Sequence, residues 1–204
     1  MKHRTPDQLQ KEETLKLVKD FLKEKYVELL IKDVVIREDL EEDRTTVECS
    51  AKLGPHVASI ISTGDGLIDA LFSGMRQHFS QQYFSLDDIE FVDFSIDIDP
   101  LTRRKREGTD VAVVVDIYVS NSTGTRYQFS TSSRSFNSAA IKSVIDAIEY
   151  YLNCEVAVLE LKYIIEQIKK SGRPELQTKY VIMLSEIVRS ASYVKSIKEW
   201  TYKN

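Results

Sequence analysis

Phe91-Val92-Asp93-Phe94-Ser95-Ile96-Asp97-Ile98-Asp99 alternates apolar and polar residues along its whole length. Val92, Phe94, Ile96 and Ile98 fall on one side and Asp93, Ser95, Asp97 and Asp99 on the other, the pattern of a half-buried strand. The stretch restarts a pattern that the chain has already run once. Upstream, residues 33–39 read as a strand, 45–51 alternate as a second, and 56–62 form a third after the turn Leu53-Gly54-Pro55. Thr63-Gly64-Asp65-Gly66 then turns into a helix whose Ile68, Leu71, Phe72, Met75 and Phe79 share an apolar face. Beyond Asp99 the order repeats. Val111, Val113, Val115, Ile117 and Val119 make a strongly apolar strand face, Asn121-Ser122-Thr123-Gly124 is a hairpin turn, and 125–131 is the next strand. A Ser-rich turn over 132–135 leads into a helix with Ala140, Val144, Ala147, Ile148 and Tyr151 on one side.

Residues 31–80 and 87–153 therefore each read strand–strand–strand–helix, offset by about 70 positions from Gly64 to Arg134. The expected fold is α+β: two pseudo-symmetric βββα units in one domain, helices on one face of antiparallel sheets, with a cleft between the two helix N-termini. A helix over 8–24 should precede this core. Two further helices, 156–170 and 174–198, should follow as a hairpin broken by Ser171-Gly172-Arg173-Pro174. The expected division is an N-terminal helical extension (1–25), the two-unit domain (26–153) and a C-terminal helical hairpin (154–204).

Composition narrows the function. The 204 residues are 42% hydrophobic and 29% charged, which fits a folded globular chain. Lys+Arg number 28 and Asp+Glu 32, so the net charge of −4 gives no overall pull towards nucleic acid or an anionic membrane. No apolar run reaches the ~18 residues of a membrane span, and the charged start Met1-Lys2-His3-Arg4 lacks a signal peptide's apolar core. A cytoplasmic location is expected. Cys49 and Cys154 match no zinc or redox spacing and read as buried thiols.

The chemistry-bearing residues are sparse. Asp65 and Asp69 share a helix face, which suits acid–base work but also helix capping. Asp93, Asp97 and Asp99 line one strand face, where a hard cation would compete with plain solvation. Arg103-Arg104-Lys105-Arg106 has no flanking aromatics for base stacking and reads as a solvated loop. His3, His56 and His78 are scattered. Ser132 and Ser133 have no nearby base and read as a helix cap. No metal site, no cofactor and no catalytic residue is expected.

Two segments carry a resemblance. Gly64-Asp65-Gly66-Leu67-Ile68-Asp69-Ala70 and Glu107-Gly108-Thr109-Asp110-Val111, followed by Ser130-Thr131-Ser132-Ser133-Arg134-Ser135 and Asp146-Ala147-Ile148-Glu149-Tyr150, occur in order and at the right spacing. Together they resemble the C-terminal regulatory, or allosteric dimerisation, domain of 2-isopropylmalate and citramalate synthases. Leu67 stands where that family has proline, and Val111 where it has alanine. The catalytic barrel of those enzymes needs about 200–250 residues by itself, so the expectation is a stand-alone regulatory relative and not an enzyme. The resemblance implies a homodimer, a branched-chain amino acid (leucine or isoleucine) as effector, a link to branched-chain amino-acid biosynthesis and a synthase partner in trans. It places the effector at Gly64, Asp65, Gly66 and Ile68, at Phe91, Phe94, Ile98 and Val111, and at Ser132 and Ser133. The alternative is a structural protein-interaction module whose effector pocket is filled by Leu67 and Val111.

Overall fold

The computed structural model describes residues 5–99, 111–171 and 174–191. The chain opens with α1 (Pro6–Leu22), followed by a 3-10 turn at Lys23–Lys25. The helix starts where it does because Thr5 and Gln8 form a reciprocal capping box: the Gln8 amide donates to Thr5 Oγ1 at 3.3 Å and the Thr5 amide to Gln8 Oε1 at 2.9 Å. Pro6, at the first helical position, loses no hydrogen bond there.

The first unit is β1 (Leu29–Asp39), β2 (Arg44–Leu53), β3 (His56–Gly64) and α2 (Leu67–Phe79). The second is β4 (Glu90–Ile98), β5 (Val113–Ser120), β6 (Arg126–Ser133) and α3 (Phe136–Ser171). Each set of strands forms its own antiparallel three-stranded sheet in sequence order, β1-β2-β3 and β4-β5-β6. The restarted pattern is thus a duplicated βββα architecture, as the sequence predicts. The turns are the expected ones. Gly54 takes φ 58° in the β2–β3 turn, and in the β5–β6 turn Asn121 Oδ1 accepts from the amides of Thr123 and Thr125, both at 3.0 Å.

α2 packs on β2 and β3, α3 on β5 and β6, and the two helices touch each other. Val47, Cys49 and Ala51 from β2, Val115, Ile117 and Val119 from β5, and Ala70, Leu71 and Met75 from α2 are all buried in this core. Two glycines let α2 and β3 approach: a Cβ on Gly64 would lie 2.9 Å from Ala70 Cα, and one on Gly74 would lie 2.7 Å from Ser62 Cβ. Four aromatic rings, Tyr127, Phe129, Tyr150 and Tyr151, pack edge-to-face or tilted between β6 and α3 with centroids 5.2–6.3 Å apart.

The C-terminal region departs from expectation by one helix. The expected break between the unit's closing helix and a separate helix from 156 does not occur. α3 is one helix of 36 residues, and Cys154 lies fully buried in its middle. Residues 150–158 contain no glycine, proline or cap that would stop a helix, and eight of the nine are buried, so the helix is surrounded on all sides there. α4 (Pro174–Ser190) returns along α3 and meets α1, where Thr14 Oγ1 and Ser190 Oγ are 2.8 Å apart. Positions 153 and 154, the expected boundary between core and hairpin, fall inside α3.

Side chains of α3 fasten the connectors. Asn153 holds both backbone groups of Val27, accepting its N–H and donating to its C=O, each at 2.8 Å. Glu149 accepts from Tyr26 Oη at 2.8 Å and the Leu29 amide at 3.0 Å. Glu155 accepts the amides of Phe84 and Ser85 at 3.2 and 2.8 Å, in the 3-10 turn between the units. Burial holds the Glu155 carboxyl above the usual carboxylate range.

Candidate functional site

Both β1 and β4 carry a register shift, between Ile31 and Val34 and between Phe91 and Asp93. The second one matters for the site. Strict alternation puts Phe91 and Phe94 on opposite faces. The shift instead pairs Phe91 with Val119 and Phe94 with Ile117, both buried, so the two rings share the inner face. They stack at 6.5 Å and 21°, and Phe91 also reaches Phe72 of α2 at 5.9 Å.

These rings form one wall of a cavity of about 710 Å³. Its other walls are Ile36 and Glu38 of β1, the start of α2 with its lead-in (Asp65, Gly66, Leu67, Ile68 and Asp69), and Phe136 and Asn137 at the start of α3. The cleft between two helix N-termini is therefore present. Gly66 is the α2 N-cap in extended backbone (φ 178°), with no side-chain cap, and a Cβ placed on it would meet nothing within 4 Å. Such a helix start offers backbone N–H groups and the positive end of the helix dipole. The lead-in is held from one side, where the Asp65 amide donates to Asp69 Oδ2 at 3.2 Å. Asp69 is thus part of the helix-start turn. The Asp65 carboxylate is 91% exposed, 3.7 Å from Arg44.

The cavity gathers five of the ten positions implied by the resemblance: Asp65, Gly66, Ile68, Phe91 and Phe94. Gly64 sits just behind them, pressed against Ala70. Ile98 is 52% exposed at the far end of β4, away from the cavity lining. Val111 is half-buried ahead of β5. Ser132 and Ser133 close the end of β6. Ser132 Oγ donates to Asp99 Oδ2 at 2.9 Å, and Ser133 Oγ accepts the Ser135 amide at 3.3 Å. The helix cap falls later than expected: Ser135 Oγ accepts the Ser138 amide at 3.3 Å.

Leu67, at the family's proline position, is 8% exposed and contributes wall without closing the cavity. Sequence reasoning missed Ile36, Glu38, Phe136 and Asn137. Glu38 carried a signal, because it occupies the inward phase of Val34 and Ile36, where alternation calls for another apolar residue.

The remaining candidates disperse. Asp93 turns back on its own strand, accepting the Phe94 amide at 2.7 Å. Among the described residues no group of three or more His, Cys, Asp or Glu is placed to hold a metal ion. His56 is exposed at the start of β3, and His78 packs edge-on against Phe79 at 5.0 Å. Both cysteines are free and buried. Burial raises the Cys49 thiol and pushes the Cys154 thiol up to about 12, which disfavours the thiolate at both. The basic run 103–106, His3 and most of the Glu107–Val111 segment lie outside the described residues. No helix of the described residues is long and apolar enough to cross a membrane.

The chain is thus a duplicated βββα domain with a cavity between its two helix starts. The chain matches the family model of the LeuA allosteric (dimerisation) domain over residues 8–152 and belongs to that family. The match covers α1, both sheets, α2 and the first part of α3, and ends inside α3. A comparison with curated proteins gave no match.

Proposed function

We propose that this protein is a non-catalytic regulatory module whose cavity binds leucine or isoleucine, linked to branched-chain amino-acid biosynthesis and acting in trans on a synthase. The observation that carries this reading is the cavity itself. It joins both helix starts, whose N–H groups suit a carboxylate, to apolar walls of Ile36, Leu67, Ile68, Phe91 and Phe94, which suit a branched aliphatic side chain. Burying such a side chain contributes about 1.5–3 kcal/mol. An open volume supports this over an interaction module with a filled pocket.

The same reading includes a homodimer, in keeping with a family of dimerisation domains. Phe94, Ile96 and Ile98 project 45–52% exposed from the inner face of β4, beyond the cover of the helices, and favour a second copy as the cover. A cytoplasmic location fits this role.

Thermal unfolding with each of the twenty amino acids, run alongside sedimentation, tests both parts. A ligand at 100 times its Kd adds about 2.7 kcal/mol. For a chain of this size that is about 5–11 °C. A shift confined to branched-chain amino acids is expected. A flat screen on folded protein removes the effector, and a monomer at all concentrations removes the dimer.

A further inference from the structure

Glu38 is the acidic residue that β1 brings to the cavity wall. It follows Val34 and Ile36 along the inner face of β1, paired in register with Thr45, which is 2% exposed. Thr45 Oγ1 donates to Glu38 Oε2 at 2.7 Å, so a nearly buried hydroxyl fixes one carboxylate oxygen and leaves the other unconstrained by that bond. The two other carboxylates at the cavity face different duties. Asp69 Oδ2 accepts the Asp65 amide, and Asp65 lies near Arg44. No Lys or Arg is among the cavity's described lining residues. The cavity therefore has an exposed carboxylate on β1 held by the Thr45 hydroxyl, a helix start on α2 whose N–H groups stand beside the Asp65 and Asp69 carboxylates, and apolar walls from Ile36, Leu67, Ile68, Phe91 and Phe94.

We propose that Glu38 is the specificity-determining residue of this cavity, accepting the ammonium group of the bound amino acid while the helix start takes its carboxylate. This inference rests on the effector reading above and extends it. It makes the cavity selective for an α-amino acid over the same carbon skeleton without its amine. Thr45 is the positioning residue behind it.

The test is titration calorimetry with L-leucine and L-isoleucine, each compared with its amine-free analogue, 4-methylpentanoate and 3-methylpentanoate. On the unsubstituted protein the amino acid is expected to bind at least about tenfold more tightly than its analogue, the scale of one charge-assisted hydrogen bond. Glu38→Gln should weaken the amino acid about tenfold or more and leave the analogue unchanged. Thr45→Val keeps the charge but frees the side chain, and should give a smaller loss for the amino acid alone; it carries the test if Glu38→Gln does not fold. Amino-acid affinity within twofold in the variant that folds, or an analogue as tight as its amino acid, overturns the role of Glu38 and leaves the effector reading standing. No binding of either amino acid to the unsubstituted protein overturns the effector reading and this inference with it.

Discussion

Gly64→Ala should destabilise this protein by about 1–3 kcal/mol, the cost of overpacking a close contact. Gly66→Ala, two residues further on, should change stability by less than about 1 kcal/mol. The difference comes from the atoms a Cβ would meet. At Gly64 it lies 2.3 Å from Asp69 Oδ2, 2.7 Å from the Ala70 nitrogen and 2.9 Å from Ala70 Cα. The carboxylate can swing away, but the Ala70 backbone moves only if α2 lifts from β3, by roughly half an ångström or more to reach ordinary contact. That helix carries Ala70, Leu71 and Met75, all within 1% of complete burial, so the shift spreads into the core. At Gly66 the added methyl meets nothing within 4 Å, and the extended backbone accepts any residue. For a chain of this length each kcal/mol is about 2–4 °C, so Gly64→Ala should melt about 2–12 °C lower. Urea and thermal unfolding followed by circular dichroism measure both variants. The reasoning fails if Gly64→Ala melts with the unsubstituted protein, or if Gly66→Ala falls as far. Under the effector reading, Gly66→Ala should also lower the response to leucine or isoleucine while keeping its stability.

Two more outcomes are expected. Asn153→Leu leaves the N–H and C=O of Val27 without the partners that now hold them at 2.8 Å. It should cost about 1–3 kcal/mol for each group left unpaired, seen as a lower urea midpoint and faster exchange of the Val27 amide; unchanged exchange there would count against the clamp. Asp146, on the solvent side of α3, has its carboxyl raised, first by partial desolvation and then by neighbouring Glu149. A raised folded-state pKa favours the folded state below the ordinary carboxylate range and loses that contribution as pH rises through the raised value. The stability of the unsubstituted protein minus that of Asp146→Asn should therefore fall between acid and neutral pH; a difference that rises with pH would contradict it.

The duplication was legible because alternation and turn chemistry are local. Asn121 fixes its own hairpin through bonds to residues two and four positions along, and any reader of the sequence meets them together. The start of α2 was legible for the same reason, with Gly64, Asp65 and Gly66 adjacent. The opposite wall was not. Glu38 and Phe136 are brought to the cavity by packing between units, and no spacing in the chain announces that they meet. The β4 register shift lies beyond a strict two-residue period, yet it places Phe91 beside Phe94. The unbroken α3 is not legible in the sequence because its apolar pattern changes at 152–156. The chain there is wrapped on all sides, so the one-sided periodicity that marks an exposed helix disappears.

That unbroken helix turns chain length into angle. α3 rises about 54 Å from the cavity wall at Phe136 to Ser171, and each residue along it rotates the chain beyond by about 100°. A single residue inserted after Glu155 would leave the cavity untouched yet swing α4 away from α1 and separate Ser190 from Thr14. Relatives carrying the same appendage should therefore vary in length between Ser171 and Pro174, or by steps near seven residues within α3. One- and two-residue differences inside the helix should be missing from them, a signature that an alignment of such chains would display directly.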